Sequence, residues 1–118
     1  MIPQRPNSRD KPHSLPRYRR CREKFRAALY RLAVAEGDVR ERLRGAYRYL
    51  RMLSEDEVPP ALREKWSEIL TDLTKLGPEV DRDGAVYQSA VEHTMSRIRN
   101  STGRKIAERI CALVREFD

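Results

Sequence analysis

The residues whose types and spacing best suit chemistry are four arginines, Arg40, Arg44, Arg48 and Arg51. On a helix advancing 100° per residue they fall within about 80° of one another and extend about 16 Å along the axis. A guanidinium fork matches phosphate or carboxylate oxygens two at a time, and a neighbouring aromatic ring gives a nucleic-acid base something to stack on. Tyr47 and Tyr49 are interleaved with the last two arginines, so this ridge suits contact with a phosphate backbone. Like charges at i and i+4 repel by roughly 0.2–0.5 kcal/mol per pair on an isolated helix, a cost that an anionic partner would relieve. The bland alternative is a solvated face screened by water and salt.

A second cationic segment, Arg99, Asn100, Ser101, Thr102, Gly103, Arg104 and Lys105, puts hydroxyls and a glycine ahead of an expected helix start. Free amides at such a start attract anions. The segment lacks the G-x-x-x-x-G-K-[ST] spacing of a P-loop and no strand precedes it, so nucleotide hydrolysis is not indicated. Ser101 or Thr102 can equally be a plain N-cap. A helix-turn-helix reading fits poorly, because the turn lacks the small-residue pattern that would seat the last helix in a major groove. Of opposite sign, Glu64, Glu68 and Asp72 form an acidic row at i, i+4 and i+8 that complements the ridge.

Other reactive types are scattered. His13 and His93 have no companions at metal-ligand spacing, and Glu92 beside His93 points about 100° away from it with no nucleophile to serve. Cys21 and Cys111 fall in or beside apolar helical phases, where a thiol acts as a small hydrophobe, and two free thiols are expected. Trp66 and the tyrosines other than Tyr47 and Tyr49 read as core or bundle-edge residues. Bundle enzymes gather carboxylates or histidines on inward faces, and no such gathering is visible. The expectation is a protein without catalytic residues, metal or cofactor.

The chain has 118 residues, 36% of them charged, and a formal net charge of +7. That size makes one domain the expectation and excludes a multidomain enzyme. The charge is segregated: residues 1 to 51 carry 15 bases and 5 acids, residues 52 to 96 carry 4 and 10, and the remainder 6 and 3. A basic chain with a pI near 9.8 attracts polyanions. The expected partner is therefore nucleic acid or an acidic protein, with a homo-oligomer joined through the two oppositely charged rows as a variant, and no small-molecule substrate. The opening residues hold no signal-peptide apolar run, and no stretch approaches the roughly 20 apolar residues of a membrane span. A cytoplasmic location is expected.

The elements that must position these residues are helical. Residues 1 to 16 hold four prolines and few apolar side chains, which reads as a disordered basic tail, leaving 17 to 118 as the helical domain. Apolar residues then recur at spacings of three and four. Tyr18, Cys21, Phe25, Leu29 and Leu32 predict a helix over 17–35, and Val39, Leu43, Ala46, Leu50 and Leu53 one over 39–53. Leu62, Trp66, Ile69, Leu73 and Leu76 predict a third from Pro59-Pro60 to Gly77-Pro78. After an acidic loop over 79–84, Val91, Met95 and Ile98 and then Ile106, Ile110, Leu113 and Phe117 mark a last helix, long and kinked or split near Asn100 to Gly103. No run alternates with period two. The predicted fold is all-α, an antiparallel four-helix bundle. Gly45, in mid-helix, calls either for a close neighbour or for a locally weak helix.

Overall fold

A computed structural model of the chain describes residues 16–117. The expected basic tail, apart from Pro16, lies outside the described residues. The described chain is mostly helical: α1 (Arg19–Val34), α2 (Val39–Leu50), α3 (Pro60–Leu73), α4 (Ala90–Arg97) and α5 (Asn100–Phe117). One-turn 3-10 segments precede α1 (Pro16–Tyr18) and α3 (Glu55–Glu57). Two short strands, β1 (Glu79–Val80) and β2 (Val86–Gln88), form an antiparallel pair before α4.

The helix starts follow local chemistry. Asp38 caps α2, its Oδ1 accepting the N–H groups of Arg40 at 2.9 Å and Glu41 at 3.2 Å. Ser89 caps α4 by accepting the Glu92 N–H, and Pro60 opens α3, where a missing N–H costs nothing. Two ends come earlier than apolar spacing suggests. α2 stops at Leu50, although Leu53 is still buried beyond it. α3 stops at Leu73, because the Thr74 hydroxyl donates back to Leu70 O at 2.8 Å and Gly77 turns the chain at φ +70°. Leu76 therefore leaves the apolar stripe and is exposed.

The hairpin replaces part of the expected acidic loop. Asp81 Oδ1 accepts the N–H groups of Asp83 and Ala85, both at 2.9 Å, and Gly84 adopts φ +82°. This is turn chemistry that folds a strand pair too short to show alternation. The split in the last helical region is present but earlier than expected. Ile98 is extended (φ −78°, ψ 159°) and ends α4, while Asn100 to Gly103 form the first turn of α5.

Tertiary contacts follow the apolar stripes. The start of α1 meets the segment after α2, where Arg20 Nη1 donates to Met52 O at 3.2 Å. The end of α1 meets the start of α2, where Arg42 Nη1 donates to Leu32 O at 2.8 Å. α2 touches every other helix, and α5 packs on α1, α2 and α3. Phe25 and Phe117 meet edge to face in the core, centroids 5.6 Å apart. Trp66 Nε1 reaches back from α3 to donate to Leu50 O at 3.0 Å, satisfying a carbonyl in the last turn of α2.

Candidate functional site

Three of the ridge arginines lie on α2 and Arg51 is the residue that follows its last turn; α4 packs along one side of the helix. That neighbour divides the ridge. Arg40 is half-buried in the seam, donating from Nη2 to Asp38 Oδ2 at 2.9 Å and from Nη1 to Ile98 O at 3.2 Å. It ties the α2 cap to the bend between α4 and α5. Arg44 is also half-buried, paired with Glu41 at 3.2 Å and with Glu92 of α4 at 3.7 Å. Two of the four ridge guanidinium groups are thus engaged in local pairs. Arg48 and Arg51 are exposed and have no carboxylate partner among the described residues. Tyr47 is half-buried beside them, and together they line a hollow of about 300 Å³ walled on the far side by Ser89, Val91 and Glu92.

Two cations of α1 reach α2 on the side of Gly45 and Tyr49. The Arg31 guanidinium crosses α2 over Gly45, in the space a β-carbon would fill, and Lys24 Nζ sits 6.0 Å from the centroid of the Tyr49 ring. Gly45, one turn from Arg48, is thus a notch that admits a positive side chain from the neighbouring helix. Apolar periodicity gives no sign of this; the one visible signal was a mid-helix glycine within an arginine-rich segment.

The segment from Arg99 to Lys105 is dispersed over α5. Gly103 is buried and its missing side chain lets α5 approach α2: a β-carbon there would lie 3.1 Å from Val39 Cγ1 and 3.4 Å from Leu43 Cδ1. It is a packing residue. Arg104 faces a groove shared with α1 and α2, whereas Thr102 and Lys105 line a different hollow with Asp72, Arg97 and Arg109. Arg99 and Ser101 are exposed. One concentrated anion patch is not formed.

In the acidic row, Asp72 is paired with Arg109 of α5. Glu64 and Glu68 are exposed and have no cationic partner among the described residues. Electrostatic anchoring elsewhere is local: Glu57 accepts the Ser54 N–H and is clasped by Arg20 Nη1 at 2.9 and 2.7 Å, which holds its carboxyl down at about 2. Burial, helped by the Glu57 charge, pushes the Cys21 thiol up to about 12. His93 Nδ1 is 3.0 Å from Gly77 O, joining α4 to the end of α3. Among the described residues no three His, Cys, Asp or Glu side chains gather as metal ligands, and no helix is long and apolar enough to cross a membrane.

Comparison with protein-family models, with curated proteins and with solved structures gives no match for this chain.

Proposed function

We propose that the chain is a non-enzymatic, polyanion-binding helical module of the cytoplasm whose partner is nucleic acid, held through phosphate contacts. The arrangement carried forward is an antiparallel bundle of α1, α2, α3 and α5 with α4 as a short side helix, preceded by a basic tail. Support for the bundle comes from the two ends of the α1 and α2 seam, where Arg20 meets Met52 and Arg42 meets Leu32.

One observation carries the functional reading. Arg48 and Arg51 stay exposed without carboxylate partners, while Arg40 and Arg44 on the same helix are drawn into pairs. Desolvated or paired guanidinium groups serve structure; unpartnered ones can exchange water and counterions for phosphate. Tyr47 adds an aromatic edge beside them, and Arg31 of α1 brings a further cation over Gly45, one turn from Arg48. Such contacts fix position on a backbone and carry no sequence information.

The test is binding of mixed-sequence duplex and single-stranded oligonucleotides, followed by fluorescence anisotropy as salt rises. Affinity is expected to fall steeply between about 50 and 200 mM salt, and the double substitution Arg48→Gln/Arg51→Gln to weaken binding across all sequences alike. Absence of binding at low salt overturns the reading.

A second reading is favoured by Glu64 and Glu68, exposed and unpaired on α3. Two copies could then join ridge to acidic row. Sedimentation would show an assembly that loosens with salt, disrupted by Arg48→Glu and partly restored by adding Glu68→Arg. A monomer at all salt concentrations excludes it.

A further inference from the structure

α5 carries a second face that the polyanion reading does not use. Asn100, Arg104, Ala107, Cys111 and Arg115 recur at spacings of three and four and form one wall of an open groove of about 710 Å³. Leu29, Leu32 and Ala33 of α1 and Val39 of α2 form the opposite side. From Asn100 to Arg115 the groove runs about 22 Å, the length of a four-turn helix.

Its floor is apolar and made partly of small side chains, which allow a backbone to come close. Its rim is positive. Arg42, Arg104 and Arg115 stand against Asp38 and Glu108, but Asp38 is already occupied by the Arg40 guanidinium and by two backbone N–H groups. Arg104 and Arg115 are exposed and have no carboxylate partner among the described residues. Arg42 spends one nitrogen on Leu32 O, while its Nε is buried with no partner.

We propose that this groove binds an acidic amphipathic helix of a partner protein. The helix would set its apolar stripe on Leu29, Val39 and Ala107 and its carboxylates against Arg42, Arg104 and Arg115. Nucleic acid suits the groove badly, because a phosphate backbone has nothing apolar to lay on Leu29, Leu32, Val39 and Ala107 and no aromatic ring lies there for bases to stack on. A second copy suits it badly as well. The acidic helix of this chain, α3, exposes no apolar side chain beyond Pro60 at its first position and Ala61. The groove shares no residue with the Arg48 and Arg51 surface, so the two readings stand or fall separately.

Cys111 supplies a reporter, being half-buried in the groove while Cys21 is fully buried. The probe is a synthetic helical peptide of about 15 residues with leucine and alanine on one stripe and glutamate flanking it; the control peptide has lysine in place of glutamate. The glutamate peptide is expected to bind saturably and to slow alkylation of Cys111, read by mass spectrometry. Arg104→Glu/Arg115→Glu should weaken it about tenfold or more and confer binding of the lysine peptide. Arg48→Gln/Arg51→Gln should leave peptide binding unchanged. The proposal is overturned if the lysine peptide binds the unaltered protein equally well, or if Cys111 is alkylated at the same rate with saturating glutamate peptide. It is also overturned if dodecanoate, an oligonucleotide or a rise in protein concentration alone protects Cys111 as well as the glutamate peptide does.

Discussion

The guanidinium of Arg31 lies across Gly45, so that a β-carbon at residue 45 would stand 2.8 Å from Arg31 Nε and 3.1 Å from Nη2. The obstruction is the far end of a flexible, exposed side chain, which can swing aside. At Gly103 the obstruction is Val39 and Leu43, held in the packed seam between α2 and α5. The two glycines should therefore respond oppositely to alanine. Gly45→Ala is expected to be neutral or to stabilise by up to about 1 kcal/mol through helix propensity. Gly103→Ala is expected to destabilise by about 1 kcal/mol, because Val39 and the fully buried Leu43 must shift by a few tenths of an ångström to admit the methyl group. Urea unfolding of the two variants checks the difference in sign.

Trp66 offers a sharper test of the core. Its indole is buried and its N–H is given to Leu50 O at 3.0 Å, a carbonyl near the end of α2. Trp66→Phe keeps most of the apolar volume but removes that donor, and an orphaned buried acceptor costs about 1–3 kcal/mol. A loss in that range in denaturant unfolding is the expected outcome. The single tryptophan also makes its own emission the probe for the unaltered chain, with a red shift expected on unfolding.

What the sequence made legible and what it did not divide along physical lines. Spacings of three and four placed the buried faces, and Cys21, Phe25, Leu43, Leu50, Trp66, Ile69, Ile110 and Phe117 are all in the core. The stop at Gly77 was readable because it acts within a few residues. The hairpin was not, since its strands have two and three residues and alternation needs more. Nor was the division of the ridge. Angles around one helix show that Arg40 and Arg44 lie opposite the apolar stripe, but only tertiary packing brings Glu92 and the Ile98 carbonyl to them. The roles of Gly45 and Gly103 were hidden for the same reason: a glycine marks a close approach without naming what approaches.

Glu57 should set part of the acid limit of stability. Its carboxyl is held at about 2 against an ordinary 4.5, first by the Ser54 N–H and then by Arg20. A carboxyl with a lowered folded pKa binds its proton more readily in the unfolded chain. Its contribution is thus complete above about 4.5 and fades as pH falls toward 2. Glu57→Gln is expected to flatten the fall in unfolding free energy over that window. At neutral pH it should cost about 1 kcal/mol, solvent screening of a partly exposed pair keeping the figure small. A variant whose acid limb matches that of the unaltered protein would contradict this assignment.

The division of the ridge predicts two classes of arginine on one helix. Arg40 bridges the Asp38 carboxylate and the Ile98 carbonyl, joining the start of α2 to the bend that leads into α5. Removing it releases both acceptors, one of them in a part-buried seam, so Arg40→Gln should lower stability by about 1 kcal/mol. Arg48 has no carboxylate partner among the described residues and projects into solvent, and surface substitutions away from such contacts stay within about 0.5 kcal/mol. Relief of its repulsion with Arg44 and Arg51 would even place Arg48→Gln slightly on the stabilising side. Added salt should raise the stability of the unaltered protein more than that of Arg48→Gln, because screening has less repulsion left to relieve in the variant. Thermal unfolding of Arg40→Gln and Arg48→Gln at low and high salt checks both statements without any ligand. Equal losses from the two substitutions would mean that the first half of the ridge is as free as the second.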